Sequence, residues 1–167
     1  MIGDPISLTQ YLRDSSPSVY NRTERTVFLV LAYPDTAAGL YFRCEIFEFS
    51  TLSSAMPTLE LLAYPGLPQF FDVLTRAELA SLCVLTFRIA ADKTVKIRRN
   101  GIVRFANTFT GDFDPDASYG REFRVVSGVG QTGETAQLGE WIVFDTALPD
   151  AECGKIENYL MHKFGIV

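Results

Sequence analysis

The stretch Leu138-Gly139-Glu140-Trp141-Ile142-Val143-Phe144-Asp145 decides the fold of this chain. It predicts a buried strand that opens near an acid, and it runs into Thr146-Ala147-Leu148-Pro149 before a helix from Asp150 to about Lys163. Apolar residues recur at helical spacing in that helix, so one side of it is expected to pack against a sheet. Gly165 is the expected helix stop. A strand followed by a packed helix predicts the end of a β-sandwich.

The composition indicates one all-β domain. The chain has 167 residues, 47% of them apolar, which suffices for one core and is short for two independent domains. Thirteen Phe and seven Tyr accompany a single His, and aromatic residues favour half-buried strands over helices. Residues 1–23 are predicted to form an N-terminal arm, and residues 24–167 a single β-sandwich domain.

Local patterns predict the individual strands. Thr26–Tyr33 is apolar on both faces, as in the middle of a sandwich sheet. Leu40–Phe49 is predicted to be one strand whose apolar side changes between Ile46 and Phe47, which a β-bulge or bend would accommodate. Thr75-Arg76-Ala77-Glu78 predicts a capping box at the start of a short helix.

A β-hairpin is predicted around Arg99-Asn100-Gly101. A two-residue loop would place Ile97 opposite Arg104, whereas a three-residue loop places Ile97 opposite Val103. Apolar partners favour the three-residue loop, with Gly101 at a positive φ.

The C-terminal stretch resembles the signature of concanavalin A-like (laminin-G-like) jelly rolls, which are common in bacterial and tailed-phage proteins. In that family a Glu opens the last strand, an Asp ends it, a Leu precedes an Asp-Ala-Glu helix start, and Tyr-Leu precedes Lys, an aromatic residue and Gly. The matching residues here are Glu140, Asp145, Leu148, Asp150-Ala151-Glu152, Tyr159-Leu160 and Lys163-Phe164-Gly165. Pro149 and Phe164 stand where the family often has a Ser or Thr cap and a Trp. The resemblance covers roughly Thr26 to Val167 and implies an antiparallel jelly-roll sandwich with a short C-terminal helix.

Charge and hydropathy argue against two classes of partner. The net charge of −5 disfavours nucleic acid, since phosphate binding depends on clustered Lys and Arg. No stretch approaches the roughly 20 apolar residues of a membrane span. Residues 1–5 lack the basic start and apolar run of a secretory signal, and Cys44, Cys83 and Cys153 are expected to be buried and reduced. We therefore expect a chain that folds in the cytoplasm.

The sequence predicts no catalytic centre. Nucleophilic hydrolysis needs a base beside the nucleophile, and the only histidine, His162, belongs to the last turn of the terminal helix. Glu45 and Glu48 are three apart on a predicted strand, so they would occupy opposite faces and could not form a glycosidase pair.

Two groups of residues are candidates for binding. The basic residues Arg98, Arg99 and Arg104, beside two lysines, are predicted to form a patch on the solvent face of the hairpin. They could contact an acidic subunit or an anionic glycan, or simply keep an exposed strand soluble. The second group consists of loop aromatic residues suited to sugar stacking or to an interface: Tyr64, Phe113 and Tyr119.

An acidic loop is the one candidate for a metal. Asp112, Asp114 and Asp116 resemble calcium ligands, but an EF-hand would need Gly at Ala117 and Glu at Phe123. A looser calcium site and a plain solvated turn both fit this loop, and no cofactor is otherwise predicted.

Two functions are compatible with this fold. We expect a non-enzymatic structural protein of a tailed-phage virion, a capsid decoration or tail-associated subunit that assembles in the host cytoplasm. Its partners would be other virion subunits or copies of itself in a homo-oligomer. The alternative is a lectin-like module that binds a cell-surface polysaccharide.

Overall fold

The computed structural model describes residues 12–14, 24–32, 41–44, 47–50, 58–61, 69–109, 123–126 and 137–167. Within these residues the chain forms eleven strands and two helices. The strands are β1 (Leu12–Asp14), β2 (Arg25–Ala32), β3 (Tyr41–Cys44), β4 (Phe47–Ser50), β5 (Thr58–Leu61), β6 (Gln69–Asp72), β7 (Cys83–Ile89), β8 (Thr94–Arg99), β9 (Ile102–Thr108), β10 (Phe123–Val126) and β11 (Gln137–Phe144). The helices are α1 (Arg76–Ala80) and α2 (Asp150–Phe164), and neither has the length and apolarity to cross a membrane.

The strands form two sheets. One has six strands in the order β1-β10-β3-β4-β5-β6, and the other has five in the order β11-β2-β7-β8-β9. Every pairing within the described ranges is antiparallel. The prediction of an all-β antiparallel sandwich with a short C-terminal helix is therefore confirmed.

Strand β2 lies at the centre of the core. All eight of its residues are buried; the last six are apolar, and Arg25 and Thr26 are buried polar residues. Because side chains alternate along a strand, Phe28 and Val30 share one face while Leu29 belongs to the other. Phe28 and Val30 pack with Cys153 and Leu160 of α2. One face of the five-stranded sheet is thus covered by the C-terminal helix.

Helix α2 begins and ends as its sequence predicts. Pro149 precedes it without a side-chain capping bond, since proline offers none. Gly165 ends it with a left-handed φ of 64°, and its N–H donates to the carbonyl of His162. Ile166 N donates to the Met161 carbonyl at 2.8 Å, so the last turn is closed by a paired backbone cap.

The capping box at α1 is confirmed. The Thr75 hydroxyl accepts from the Glu78 N–H at 3.3 Å, and Thr75 N donates to Glu78 Oε2 at 2.7 Å. This cap fixes the start of a five-residue helix whose Leu79 is fully buried.

The predicted loop of the β8–β9 hairpin is wrong. Asn100 and Gly101 both have positive φ, 48° and 79°, which makes a two-residue turn of the primed type. A bulge on β9 follows, because Ile97 pairs with Phe105 while Arg98 pairs with Val103. Because of this bulge, Ile97 still has an apolar partner, Phe105. An apolar partner for Ile97 was the reason for predicting a three-residue loop.

The single strand predicted over Leu40–Phe49 is also wrong. The chain forms β3 and β4 there, paired with Phe42 opposite Phe49 and Cys44 opposite Phe47. The apolar residues change from even to odd positions because the chain reverses between β3 and β4. The register of this hairpin places all four of them on one face of the sheet.

Part of the predicted N-terminal arm belongs to a sheet of the same chain. Strand β1 pairs with β10, Leu12 lying opposite Val125. The other residues of the predicted arm lie outside the described ranges, so the division into an arm and a domain stays a prediction. Of the cysteines, Cys83 and Cys153 are free and buried as expected, while the Cys44 side chain is outside the described part.

Candidate functional site

Arg98 does not lie on a solvent face. Its side chain is 12% exposed, and its Nη2 lies 2.8 Å from Oε2 of Glu157 in α2. The same nitrogen donates to the Gly101 carbonyl at 3.0 Å. The predicted location was wrong because α2 covers this side of the hairpin, a contact between residues far apart in sequence.

Arg99 and Arg104 converge on α1 instead. Arg99 Nε donates to the Glu78 carbonyl at 2.9 Å, and Arg104 Nη2 lies 2.5 Å from Glu78 Oε1. Burial alone would raise the pKa of Glu78, but the bonds from Thr75 and the charges of both arginines lower it. These two arginines therefore bind α1 to the hairpin, and a ligand-binding role for the three predicted arginines stays a prediction.

A polar layer joins α2 to the five-stranded sheet. Thr86 donates its hydroxyl to Glu157 Oε1 at 2.6 Å, and Arg88 Nε donates to the Leu148 carbonyl at 2.6 Å. The register pairs Thr86 with Arg98, so both residues lie on the face under the helix. Sequence reasoning missed Glu157, although its place on the stripe of Cys153 and Leu160 is a signal that it is buried.

The residues of this polar layer hold α2 on the sheet and are poorly suited to nucleophilic catalysis. Glu157 is 1% exposed, and burial raises the pKa of its carboxyl while Thr86 and Arg98 act against that rise. Burial also raises the pKa of the Cys83 thiol to about 11 and raises that of Cys153. Both cysteines are therefore protonated near neutral pH, which opposes a nucleophilic role.

Residues of the C-terminal signature also attach α2 to strand β11. Glu140 Oε2 accepts from Lys163 Nζ at 2.6 Å, and this links the last strand to the last helical turn. Gly139 forms a bulge under the Phe164 ring, where a Cβ would lie 2.8 Å from Cε1. The ion pair of Glu140 and the bulge at Gly139 therefore attach the end of α2 to β11.

Acid is expected to weaken the attachment of α2 through Asp150. Lys96 donates to its carboxylate at 2.6 Å, and this bond lowers the pKa of Asp150. Because the folded pKa is depressed, the stability it contributes is present above the unfolded value of about 3.9 and lost as the pH falls through the folded pKa. Urea unfolding between about pH 5 and about pH 2 should show a smaller loss for Asp150→Asn than for the wild type.

Glu152→Gln is the matched control for this prediction. Glu152 belongs to the same helical turn, but it pairs with Lys155 of its own helix at 2.7 Å instead of with the sheet. We expect this control to follow the wild type across the acid range. Parallel curves for the wild type and Asp150→Asn would contradict the role given to Asp150.

The remaining predicted site residues lie outside the described ranges. They are the aromatic residues Tyr64, Phe113 and Tyr119 and the calcium candidates Asp112, Asp114 and Asp116. In the part of the chain that the structure describes, no group of three or more His, Cys, Asp or Glu residues could hold a metal ion. The calcium site and the aromatic loop sites stay predictions.

The six-stranded sheet brings together charged residues that the sequence separates. One cross-strand row is apolar: Leu12, Val125, Phe42, Phe49, Leu59 and Phe71. The adjacent row, on the opposite face, consists of Arg13, Arg124, Arg43, Glu48, Glu60 and Phe70. Because successive residues of a strand alternate between the two faces of a sheet, the register places these two rows on opposite faces. We call this second row the charged row.

The charged row has aromatic residues on its own face. Phe70 ends the row, and Tyr41 shares the face of Arg43 because the two residues are two apart on β3. Alternation within β3 and β4 is visible in the sequence and signals that Arg43 and Glu48 oppose the apolar face. The pairing of six strands is not visible there, and for that reason the row was missed.

Solved structures share this fold. Botulinum neurotoxin type C, whose cell entry depends upon interaction with two ganglioside molecules, has a TM-score of 0.59 and 11% identity over 90% of this chain and 42% of that chain. The receptor binding domain of botulinum neurotoxin type G has a TM-score of 0.58 and 9% identity over 83% of this chain and 38% of that chain. The NanB sialidase of Streptococcus pneumoniae, as its K499G mutant, has a TM-score of 0.60 and 19% identity over 87% of this chain and 26% of that chain.

These likenesses establish the fold alone. The chain spans less than half the length of each of these three proteins, and the identities are low. No protein-family model matches the sequence, and no curated protein matches it significantly.

Proposed function

We propose that the chain is a non-catalytic, lectin-like domain that binds a surface glycan on the charged face of its six-stranded sheet. The observation that carries this proposal is the charged row, in which arginine, glutamate and aromatic positions adjoin on the face opposite the apolar rows. Two similar structures are toxin proteins with receptor-binding or ganglioside-dependent roles, which supports a binding domain over an enzyme.

The residue types of this face match the chemistry of a sugar. Hydroxyl groups donate to carboxylates and accept from guanidinium groups, and such charge-assisted bonds are the strong ones. The apolar face of a pyranose packs on an aromatic ring, for which Tyr41 and Phe70 are the candidates on this face. A protein face that combines all three residue types is suited to an oligosaccharide.

The virion role has less support. None of the three similar structures described above is a virion protein, and their names refer to toxins and a sialidase. A capsid or tail location, a homo-oligomer and assembly in a host cytoplasm stay predictions.

A glycan array with the full chain tests the proposal. We expect the wild type to bind at least one class of oligosaccharide and Glu60→Gln to lower that binding by about tenfold, since a hydrogen bond to a charged group is worth about 1.5–3 kcal/mol. Glu152→Gln removes the same charge from α2, so it should bind like the wild type.

Two outcomes would contradict the proposal. One is an array without any bound glycan for a folded wild type. The other is release of reducing ends from bound glycans, because Glu48 and Glu60 are register partners and two carboxylates are also the catalytic pair of glycoside hydrolases.

A further inference from the structure

We propose that the open edge of strand β9 pairs with β9 of a second copy of this chain. The pairing is antiparallel, with Asn107 opposite Asn107 of the second copy, so that the two five-stranded sheets become one continuous sheet across a two-fold axis. The proposal rests on the exposure, backbone direction and charge of residues 105–109. It does not depend on the proposed glycan binding.

Strand β9 is an open edge within the part of the chain that the structure describes. It is the last strand of the five-stranded sheet, and it pairs with β8 on one side only. All of its residues are exposed except the half-buried Phe105. An exposed edge strand offers a row of unpaired backbone donors and acceptors, which is a template for pairing with another strand.

The bonds between β9 and β8 show which backbone groups point to the open side. Phe109 N donates to the Lys93 carbonyl at 3.2 Å, so these two residues form a hydrogen-bonded pair. In an antiparallel ladder such pairs alternate with pairs that exchange no bond, so Asn107 bonds to β8 whereas Ala106 and Thr108 do not. The N–H and C=O groups of Ala106 and Thr108 therefore point away from β8.

These two residues are complementary to a second copy of themselves. With Asn107 on the two-fold axis, Ala106 lies opposite Thr108 of the second copy, and the two residues can exchange both of their backbone bonds. Their side chains leave room for this approach, since Ala106 is small and the Thr108 hydroxyl lies 2.8 Å from the Thr94 hydroxyl on β8. One edge thus supplies both halves of the pairing, as a two-fold interface requires.

The distribution of charge also favours a copy of the same strand. Natural edge strands are commonly protected by charged residues, by proline or by a bulge. On β9 the bulge and the single charge both fall at Arg104, whose guanidinium pairs with Glu78 of α1. Residues 105–109 contain neither a charge nor a proline, so two copies meet there without the repulsion of like charges. A strongly charged partner strand would find no complementary charge on this segment.

Sedimentation velocity of the full chain tests the pairing. Between about 1 μM and about 500 μM the protein should change reversibly from the monomer mass towards twice that mass, since a single strand pair is a small and therefore weak interface. Ala106→Pro removes an N–H that β8 does not use, so the monomer should stay folded. Its dissociation constant should rise by about tenfold or more, because each copy loses a backbone hydrogen bond.

A second variant keeps the test valid if the proline is not tolerated. Ala106→Lys retains the backbone N–H and adds a charge at the edge, which natural edge strands use to prevent pairing. It should weaken the association by a similar factor. Ala151→Lys makes the same substitution at an exposed position of α2 and should associate like the wild type.

A disulfide tests the register. The two copies of Asn107 would form a non-hydrogen-bonded pair, whose Cα atoms lie about 4.5 Å apart, within the range that a disulfide spans. Oxidised Asn107→Cys should therefore form a covalent dimer. Thr108→Cys, which has no copy of itself directly opposite, should form much less of it. The wild type is the control for the native cysteines, of which Cys83 and Cys153 are buried.

Several outcomes would overturn the proposal. A folded wild type that keeps the monomer mass over the whole range would leave the β9 edge to a different partner. A dimer that Ala106→Pro and Ala106→Lys both leave unchanged would place the interface elsewhere. A mass well above that of a dimer, or a covalent dimer of Thr108→Cys in place of Asn107→Cys, would contradict the two-fold register. Glycan binding is measured separately by the array and stands or falls independently.

Discussion

Glu157→Ala is expected to lower the free energy of unfolding by about 3–5 kcal/mol, the cost of breaking a buried ion pair. Alanine removes the carboxylate that lies 2.8 Å from Arg98 and accepts the Thr86 hydroxyl at 2.6 Å. The Arg98 charge would then remain beneath α2 with the more distant and more exposed Asp150 carboxylate, whose Oδ1 lies 3.8 Å from Nη1, in place of Glu157. Urea unfolding at neutral pH measures the loss.

Replacing both partners with apolar residues shows how much of this loss comes from leaving one charge buried without its partner. Arg98→Ala alone should cost a similar amount, and Arg98→Met with Glu157→Leu should recover most of it, because apolar residues of similar volume often replace a buried ion pair without loss. Lys155→Ala, at a side chain that is 71% exposed, should change stability by no more than about 0.5 kcal/mol. A Glu157→Ala loss as small as this control would show that the polar layer does not hold α2.

The local elements of this fold could be predicted from sequence. The capping box at Thr75 involves residues three apart, and the strand Cys83–Ile89 is a short apolar run with clear ends. The packing side of α2 follows from its apolar spacing, and the contact of Glu140 with Lys163 agrees with the signature that contains both residues. In each case the information lies within one segment or within a sequence pattern that a whole family shares.

The candidate site could not be predicted in the same way. Arg43 is recognisable as a polar position on an apolar strand, but its neighbours Arg13 and Arg124 belong to segments about thirty and eighty residues away. Only the strand order brings them together. The predicted loop length of the β8–β9 hairpin was wrong for a related reason. A bulge at Arg104 gives Ile97 an apolar partner with a two-residue turn, and the position of a bulge cannot be read from the length of the loop.

Phe28→Ala is expected to cost about 3–5 kcal/mol, the usual range for a fully buried phenylalanine. Phe28 has no exposed surface, and its ring meets that of Phe144 edge-on at a centroid distance of 6.0 Å. It also packs with Cys153 and Leu160, so a cavity there would loosen α2 as well as β2. Thermal or urea unfolding measures the loss, and Phe28→Leu should cost less because more of the volume remains.

Ile102→Ala is the control for Phe28→Ala, since this side chain is 64% exposed on edge strand β9 and its loss should change stability by no more than about 0.5 kcal/mol. Phe28 lies under α2 on the five-stranded sheet, whereas the charged row belongs to the six-stranded sheet. A Phe28→Ala protein that is still folded should therefore bind glycans like the wild type. Loss of glycan binding in that folded variant would place the binding surface near α2 and contradict the charged row as the site.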